Sequence, residues 1–358
     1  MARRILRWGG ITLGGLAALL LLVVVVAAVT DRPSGEPMVV DRDTPAVAAF
    51  LGAEAAWFAH HDLEHTEHLI GIDEPDLTVR VLEVGEGPPV LILPGGAGEA
   101  AYLTPLLAEL HGYRFLLLNL PGGGASDGVD LRAIDERRLA RDTLDSIYTH
   151  FDLDTAPIVA SSRGGAWAWW YGLERPDRVS ASVQLGAPAL VEGTTVPAAV
   201  GMLGIPGVNR LLTSALSPGS PEDAVTGLEL LFGHPEETVA SLSPPAREFA
   251  YAAQHLPTFG LSWRSSVQES SHFAGVGGWN PDIEIGIADL TVLHHPTLLV
   301  WPSNDPFGDP EVGRELASHL PDADLRFAGV GHLPWLDEPA GVAELVAGFL
   351  DALGSPTH

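Results

Sequence analysis

Apolar residues in this chain fall into short alternating or continuous runs, with stretches of helical periodicity between them. Runs at 77–84, 90–93, 115–120, 158–160, 179–185, 296–301 and 324–328 have the length and apolar density of strands. Helical patterns occupy 46–60, the stretch from Gly98 to about His111, 131–150, 166–173, 311–320 and 340–350. This alternation predicts a mostly parallel sheet with helices on both faces. Gly85-Glu86-Gly87-Pro88-Pro89 joins the first two runs and predicts a tight turn between antiparallel strands. From about Gly186 to Leu290 the alternation stops. Short helical segments there are broken by Leu203-Gly204-Ile205-Pro206-Gly207 and Leu216-Ser217-Pro218-Gly219, the pattern of an inserted helical cap.

The N-terminus has a different pattern. Arg3, Arg4 and Arg7 precede an uncharged run at 8–30, whose strongly apolar part is 11–29. At 1.5 Å per residue that part is roughly 28 Å of helix, close to the ~30 Å hydrocarbon core of a bilayer. The pattern predicts a cytoplasmic n-region at 1–7 and a transmembrane signal anchor or signal peptide at 8–30. By the positive-inside rule the rest of the chain is then extracytoplasmic, membrane-anchored through the N-terminal helix, or secreted if the segment is cleaved. Residues 31–60 read as a polar, Pro-rich linker and a leading helix. The α/β core then opens at 61–187, is interrupted by the helical cap at 188–290, and resumes at 291–358.

Composition narrows the partners. The 358 residues carry 46 acids against 19 bases, every base an arginine, for a net charge of -27. Such a chain is repelled by nucleic acid and by anionic membrane surfaces. With no cysteine there is no disulfide, no thiolate nucleophile, no cysteine metal site and no lipobox.

Candidate chemistry centres on Ala156-Pro-Ile-Val-Ala-Ser-Ser-Arg-Gly-Gly165, a strand cut off by a small-residue turn that runs straight into a helix. A nucleophile elbow needs this context, with small residues two before and two after the nucleophile. Centred on Ser162 the flanks are Ala160 and Gly164, and both are small. Centred on Ser161 they are Val159 and Arg163. Ser162 is therefore the candidate nucleophile. A serine hydroxyl needs a base, and the base an orienting acid, in the chain order Ser, Asp, His. Trp301-Pro-Ser-Asn-Asp305-Pro and Gly331-His332-Leu-Pro-Trp-Leu-Asp-Glu-Pro each follow a predicted strand and supply Asp305 and His332.

With these motifs, and over about 77–350, the chain resembles the α/β-hydrolase superfamily, above all its capped serine-hydrolase members: esterases, C–C bond hydrolases and haloperoxidase-like enzymes. The resemblance implies the α/β-hydrolase fold and a Ser162–His332–Asp305 triad. It also implies an oxyanion hole from the backbone N–H groups of Gly96 and Arg163. Pro94-Gly95-Gly96 stands where the family often has His-Gly-x, and Asn119 where it has an Asp of structural role. Asp-nucleophile branches, the epoxide hydrolases and haloalkane dehalogenases, are disfavoured by Ser162. The implied activity is acyl transfer through an acyl-enzyme. The expected substrate is a carboxylic ester of a small-to-medium hydrophobic molecule, and no metal or organic cofactor is needed. Alternatives are a C–C bond hydrolase, a cofactor-free perhydrolase, and a non-catalytic membrane-tethered binding module on the same fold.

Four further features have ordinary and sharper readings. His60, His61, His65 and His68 include an H-x-x-E-H pattern that could hold zinc if His61 and His65 shared a helix face. The ordinary reading is a surface cluster running into a strand. Gly96-x-Gly98-x-x-Ala101 mimics a dinucleotide fingerprint, but the acid expected later is Asn119. The Arg163 guanidinium could bind a substrate carboxylate, or lie in an ion pair. Trp167, Trp169 and Trp170 read as core, with one of them a potential cavity wall.

Overall fold

The computed structural model describes residues 22, 25–26, 29–96, 98–205, 208–215, 217–270 and 278–353. The n-region at 1–7 and almost all of the expected span at 8–30 lie outside them. Among the described residues no helix is long and apolar enough to cross a membrane.

Eight strands form one sheet: β1 His65–Ile72, β2 Leu77–Val84, β3 Pro89–Leu93, β4 Arg114–Asn119, β5 Ala156–Ser161, β6 Val179–Leu185, β7 Thr297–Trp301 and β8 Ala323–Phe327. Their order is β1-β2-β4-β3-β5-β6-β7-β8. β1 and β4 both pair antiparallel with β2, and every other pairing is parallel. Successive side chains leave the central strands on opposite faces. Leu91, Leu93, Ile158 and Ala160 join one core layer. Val90, Ile92 and Val159 join the other.

The expected hairpin between β2 and β3 does not form, because β4 lies between them. The glycine turn instead crosses the entry to β4. Gly85 and Gly87 have φ of +77° and +131°, and a Cβ on Gly87 would stand 2.2 Å from the Gly112 carbonyl oxygen. Arg114 N–H donates to Pro88 O at 3.0 Å. β2 takes its hairpin partner from β1, an edge strand whose alternating polar residues gave no apolar run.

On one face lie α1 (Pro45–His60) and the C-terminal helix α7 (Pro339–Leu353); on the other lie α2 (Glu136–His150), α3 (Arg163–Glu174) and α6 (Pro310–His319). Between β6 and β7 the described elements are helices joined by loops, among them α4 (Pro244–Gln254) and α5 (Phe259–Ser270), and a bridge ties Val191 to Ile285. The helix expected over 98–111 is reduced to a 3-10 turn at Ala100–Leu103 and one α turn at Thr104–Leu107. That expected over 131–150 is split, with a 3-10 turn at Leu131–Ala133 and Asp135 capping α2 through Arg138 N.

The expected linker is docked on the domain. Met38 pairs with Gly128, Val40 N–H donates to Asp127 at 2.7 Å, and Asp31 meets Arg132 at 3.0 Å. Thr44 caps α1, which buries Val47, Phe50, Glu54, Trp57 and Phe58 at helical spacing. Glu54 pairs with the Arg80 guanidinium of β2 at 2.9 and 2.5 Å. α1 ends at His60, and His65 opens β1, so the H-x-x-E-H pattern straddles a turn and shares no helix face. The His61 ring stands edge-on to Trp57, and His68 meets Glu83 at 2.8 Å. Among the described residues no group of three metal-capable side chains forms.

Candidate active site

β5 delivers Ser162 into a sharp turn before α3. Its φ of +51° and ψ of -117° fall in a region that non-glycine residues enter only where surrounding structure holds them. The small flanks have a steric cause. A Cβ on Gly164 would lie 2.4 Å from Leu93 O, and one on Gly95 2.6 Å from Ser162 Cβ. Ala160 is fully buried in the sheet.

Asp305 and His332 leave the ends of β7 and β8 and meet. His332 Nδ1 stands 2.9 Å from both Asp305 oxygens. One of those oxygens also accepts from Ala187 N–H at 2.8 Å, the other from Phe307 N–H at 2.9 Å. Both oxygens are committed as acceptors, so Nδ1 carries the proton and Nε2 presents a lone pair. Phe307 stacks on the imidazole at 4.2 Å. His332 is 1% exposed, and its Nε2 has no hydrogen-bond partner among the described residues. Ser162 lines the same cavity as His332, but no hydrogen bond joins Oγ to Nε2.

The loop carrying His332 is held from two sides. Asp337 accepts from Val330 and Gly331 N–H at 2.9 and 2.8 Å. The helical insertion supplies the rest: Phe232 O accepts from His332 N–H at 2.8 Å, and His234 Nε2 accepts from Leu333 N–H at 3.3 Å. His234 Nδ1 in turn donates to Asp337 at 3.0 Å.

Ser162, Gly96 and His332 line a cavity of about 890 Å³. Its walls are mainly apolar: Leu228, Leu231, Phe232, Phe249 and Trp263 from the insertion, with Tyr102 and Trp57 from the core side. Gly96, at φ +57°, sits beside the Trp263 ring. Arg163 opens α3, where the first N–H groups of a helix have no intrahelical acceptor. Trp167, Trp169 and Trp170 are buried in the core. Asn119 accepts from Ala100 N–H at 3.0 Å and so fixes the loop after β3.

The Arg163 side chain is in an ion cluster. It pairs with Glu136, and with Glu269 of α5 at 3.1 Å, and donates to Ser270 Oγ at 2.7 Å. The guanidinium thus ties the elbow to the insertion, which leaves the substrate-carboxylate reading without support. Removing it strands a buried carboxylate. Arg163→Met is expected to cost about 3–5 kcal/mol in denaturant unfolding; a loss below 1 kcal/mol would show the cluster to be unimportant. Burial, then the charge of Glu136, pushes the Glu269 carboxyl from 4.5 up to about 9, although Arg163 opposes the shift. The folded chain therefore keeps a proton that the unfolded chain releases. This contribution to stability is complete below about pH 4.5, declines as pH rises, and is gone above about pH 9. Glu269→Gln should flatten that decline in thermal unfolding followed from pH 5 to pH 9.

Three residues of the site had only weak signals in the sequence. Trp57 follows Phe50 and Glu54 on one face of α1, but the leading helix reads as separate from the core. Glu99 is a single acid after a glycine loop. Glu136 looks like a first-turn helix acid, yet it is buried against Arg163 and Trp167.

Residues 88–339 match a family model described as the alpha/beta hydrolase fold. A 2-hydroxy-6-oxononadienedioate/2-hydroxy-6-oxononatrienedioate hydrolase of Pseudomonas putida is 26% identical over 77% of this chain and 93% of its own. A 2-hydroxy-6-oxo-6-phenylhexa-2,4-dienoate hydrolase of Burkholderia cepacia is 25% identical over 80% of this chain and 96% of its own. The solved structure of carboxylesterase CesB from Bacillus subtilis superposes with a TM-score of 0.64 at 16% identity, covering 86% of this chain and 99% of that one.

Proposed function

Because the chain belongs to the alpha/beta hydrolase family, we propose that it is a serine hydrolase acting on carboxylic esters of small-to-medium hydrophobic molecules. Ser162 Oγ attacks the ester carbonyl carbon while His332 Nε2 takes its proton. Asp305 keeps Nδ1 protonated and stabilises the imidazolium that forms. Charge on the former carbonyl oxygen is met by the N–H groups of Gly96 and Arg163. The imidazolium returns the proton to the leaving alcohol, and the acyl-enzyme is then hydrolysed by a water that His332 activates. The observation that carries this reading is that Ser162, on its strained elbow, lines the same mainly apolar cavity as the Asp305-held His332. The missing Oγ–Nε2 hydrogen bond is compatible with it, since such contacts tighten when substrate binds.

The names of the relatives favour a second reading, hydrolysis of a C–C bond beside a ketone. Purified protein offered p-nitrophenyl esters from acetate to long chains, and in parallel a 2-hydroxy-6-oxo-dienoate, separates the two. Ester turnover supports the first. Turnover of the dienoate alone, with Ser162 labelled by a fluorophosphonate, replaces it with the second. No reaction and no labelling would leave a binding module. We also place the domain outside the cytoplasm, on the strength of Arg3, Arg4 and Arg7 before the apolar run at 8–30. Protease added to intact cells should then degrade it.

A further inference from the structure

We propose that Glu99 selects substrates: its Oε1 hydrogen-bonds a neutral oxygen that the substrate carries away from the scissile carbonyl. The inference rests on the cavity being the substrate site, as proposed above. Glu99 lines that cavity three residues beyond Gly96 and is 2% exposed. Its Oε1 is buried and has no hydrogen-bond partner among the described residues. Buried polar atoms in folded proteins are nearly always paired, so an unpaired one on a residue that lines a cavity calls for a ligand.

The neighbouring chemistry defines that ligand. Trp57, Tyr102, Leu103 and Phe249 share this lining, which excludes strongly hydrated groups. Glu54, behind Glu99, is committed to Arg80. Burial raises the Glu99 carboxyl to about 8, with Glu54 adding to the shift and the backbone N–H groups of Glu99 and Gly124 opposing it. At neutral pH the group is largely an O–H donor. It suits a keto, ether or hydroxyl oxygen better than an ammonium. A purely hydrocarbon ligand leaves that donor unpaired, and this gives discrimination. The other titratable or charged groups facing the cavity are Tyr102, His332, Asp223 and Arg264.

The test uses full-length Ser162→Ala protein and calorimetric binding of two uncleavable anilides of equal length, hexanoyl and 5-oxohexanoyl. At pH 6.5 the keto compound should bind about 3–10-fold tighter. That advantage should fade above about pH 8. Adding Glu99→Gln should preserve the advantage and remove its pH dependence, because an amide N–H₂ donates at every pH. Adding Glu99→Leu should abolish the advantage while leaving the hexanoyl compound bound. Equal affinities for the pair at pH 6.5, or an advantage that survives in Glu99→Leu, would overturn the assignment. So would a 5-amino analogue that gains affinity as pH rises. If Glu99→Leu does not fold, the pH response of Glu99→Gln decides alone. Equal binding with the ester panel still turned over by the wild type removes only the role of Glu99. No binding together with no turnover removes the substrate-site reading as well.

Discussion

Ser162→Ala should lower kcat on the best ester of the panel by about 10⁶-fold, roughly 8 kcal/mol of transition-state stabilisation. The substitution removes one oxygen and keeps the Cβ that packs beside Gly95. Alanine at φ +51° meets the same backbone cost as serine, so the elbow and its fit against Leu93 and Pro94 remain. KM and the unfolding midpoint should therefore change little, and fluorophosphonate labelling should vanish. What survives is the binding and oxyanion contribution of the cavity. A variant that keeps more than one hundredth of the wild-type rate would remove Ser162 from the mechanism.

Asp305→Asn should cost about 10⁴-fold in kcat, through the proton on the imidazole and not through position. The asparagine side chain has one acceptor oxygen where Asp305 has two, and Asp305 uses both: one for Ala187 N–H, one for Phe307 N–H, and both for Nδ1. An amide NH₂ facing Nδ1 forces the neutral ring to carry its proton on Nε2, the atom that must accept from Ser162. One backbone N–H also loses its acceptor, with an expected stability loss of about 1–3 kcal/mol. Steady-state kinetics beside urea unfolding separates the two effects. A tenfold or smaller drop in kcat would mean that Asp305 only braces the loop.

The sheet was legible where burial on both faces makes a strand continuously apolar, as in β3 and β7. β2 and β6, which alternate, still begin and end where the apolar-rich runs do. Pairing was not legible, because strand order depends on where the chain goes after each strand. A glycine turn that usually folds a hairpin here steps over β4. β1 was hidden by its polar alternation, and the linker by its docking through backbone groups that no side-chain pattern encodes. Ser162, Asp305 and His332 were legible because each follows a strand at the same sheet edge. Asp305 meets His332, and Ser162 lines the same cavity as His332. The polar residues around them were not, since Glu99, Glu136 and Glu269 acquire their character from burial, and a lone acid in a sequence does not reveal its depth.

The hydrogen bonds from Phe232 and His234 to the His332 loop have a consequence for timing. They come from the same stretch that walls the cavity with Leu231 and Phe232. Any outward swing of that wall would pull on the backbone that aims the imidazole. On the mechanism proposed above, an open enzyme would thus be a disarmed one, its proton acceptor in place only while the chamber is shut. Acyl transfer and ligand exchange would then take turns, and a stray water entering through the open mouth would meet a base out of position.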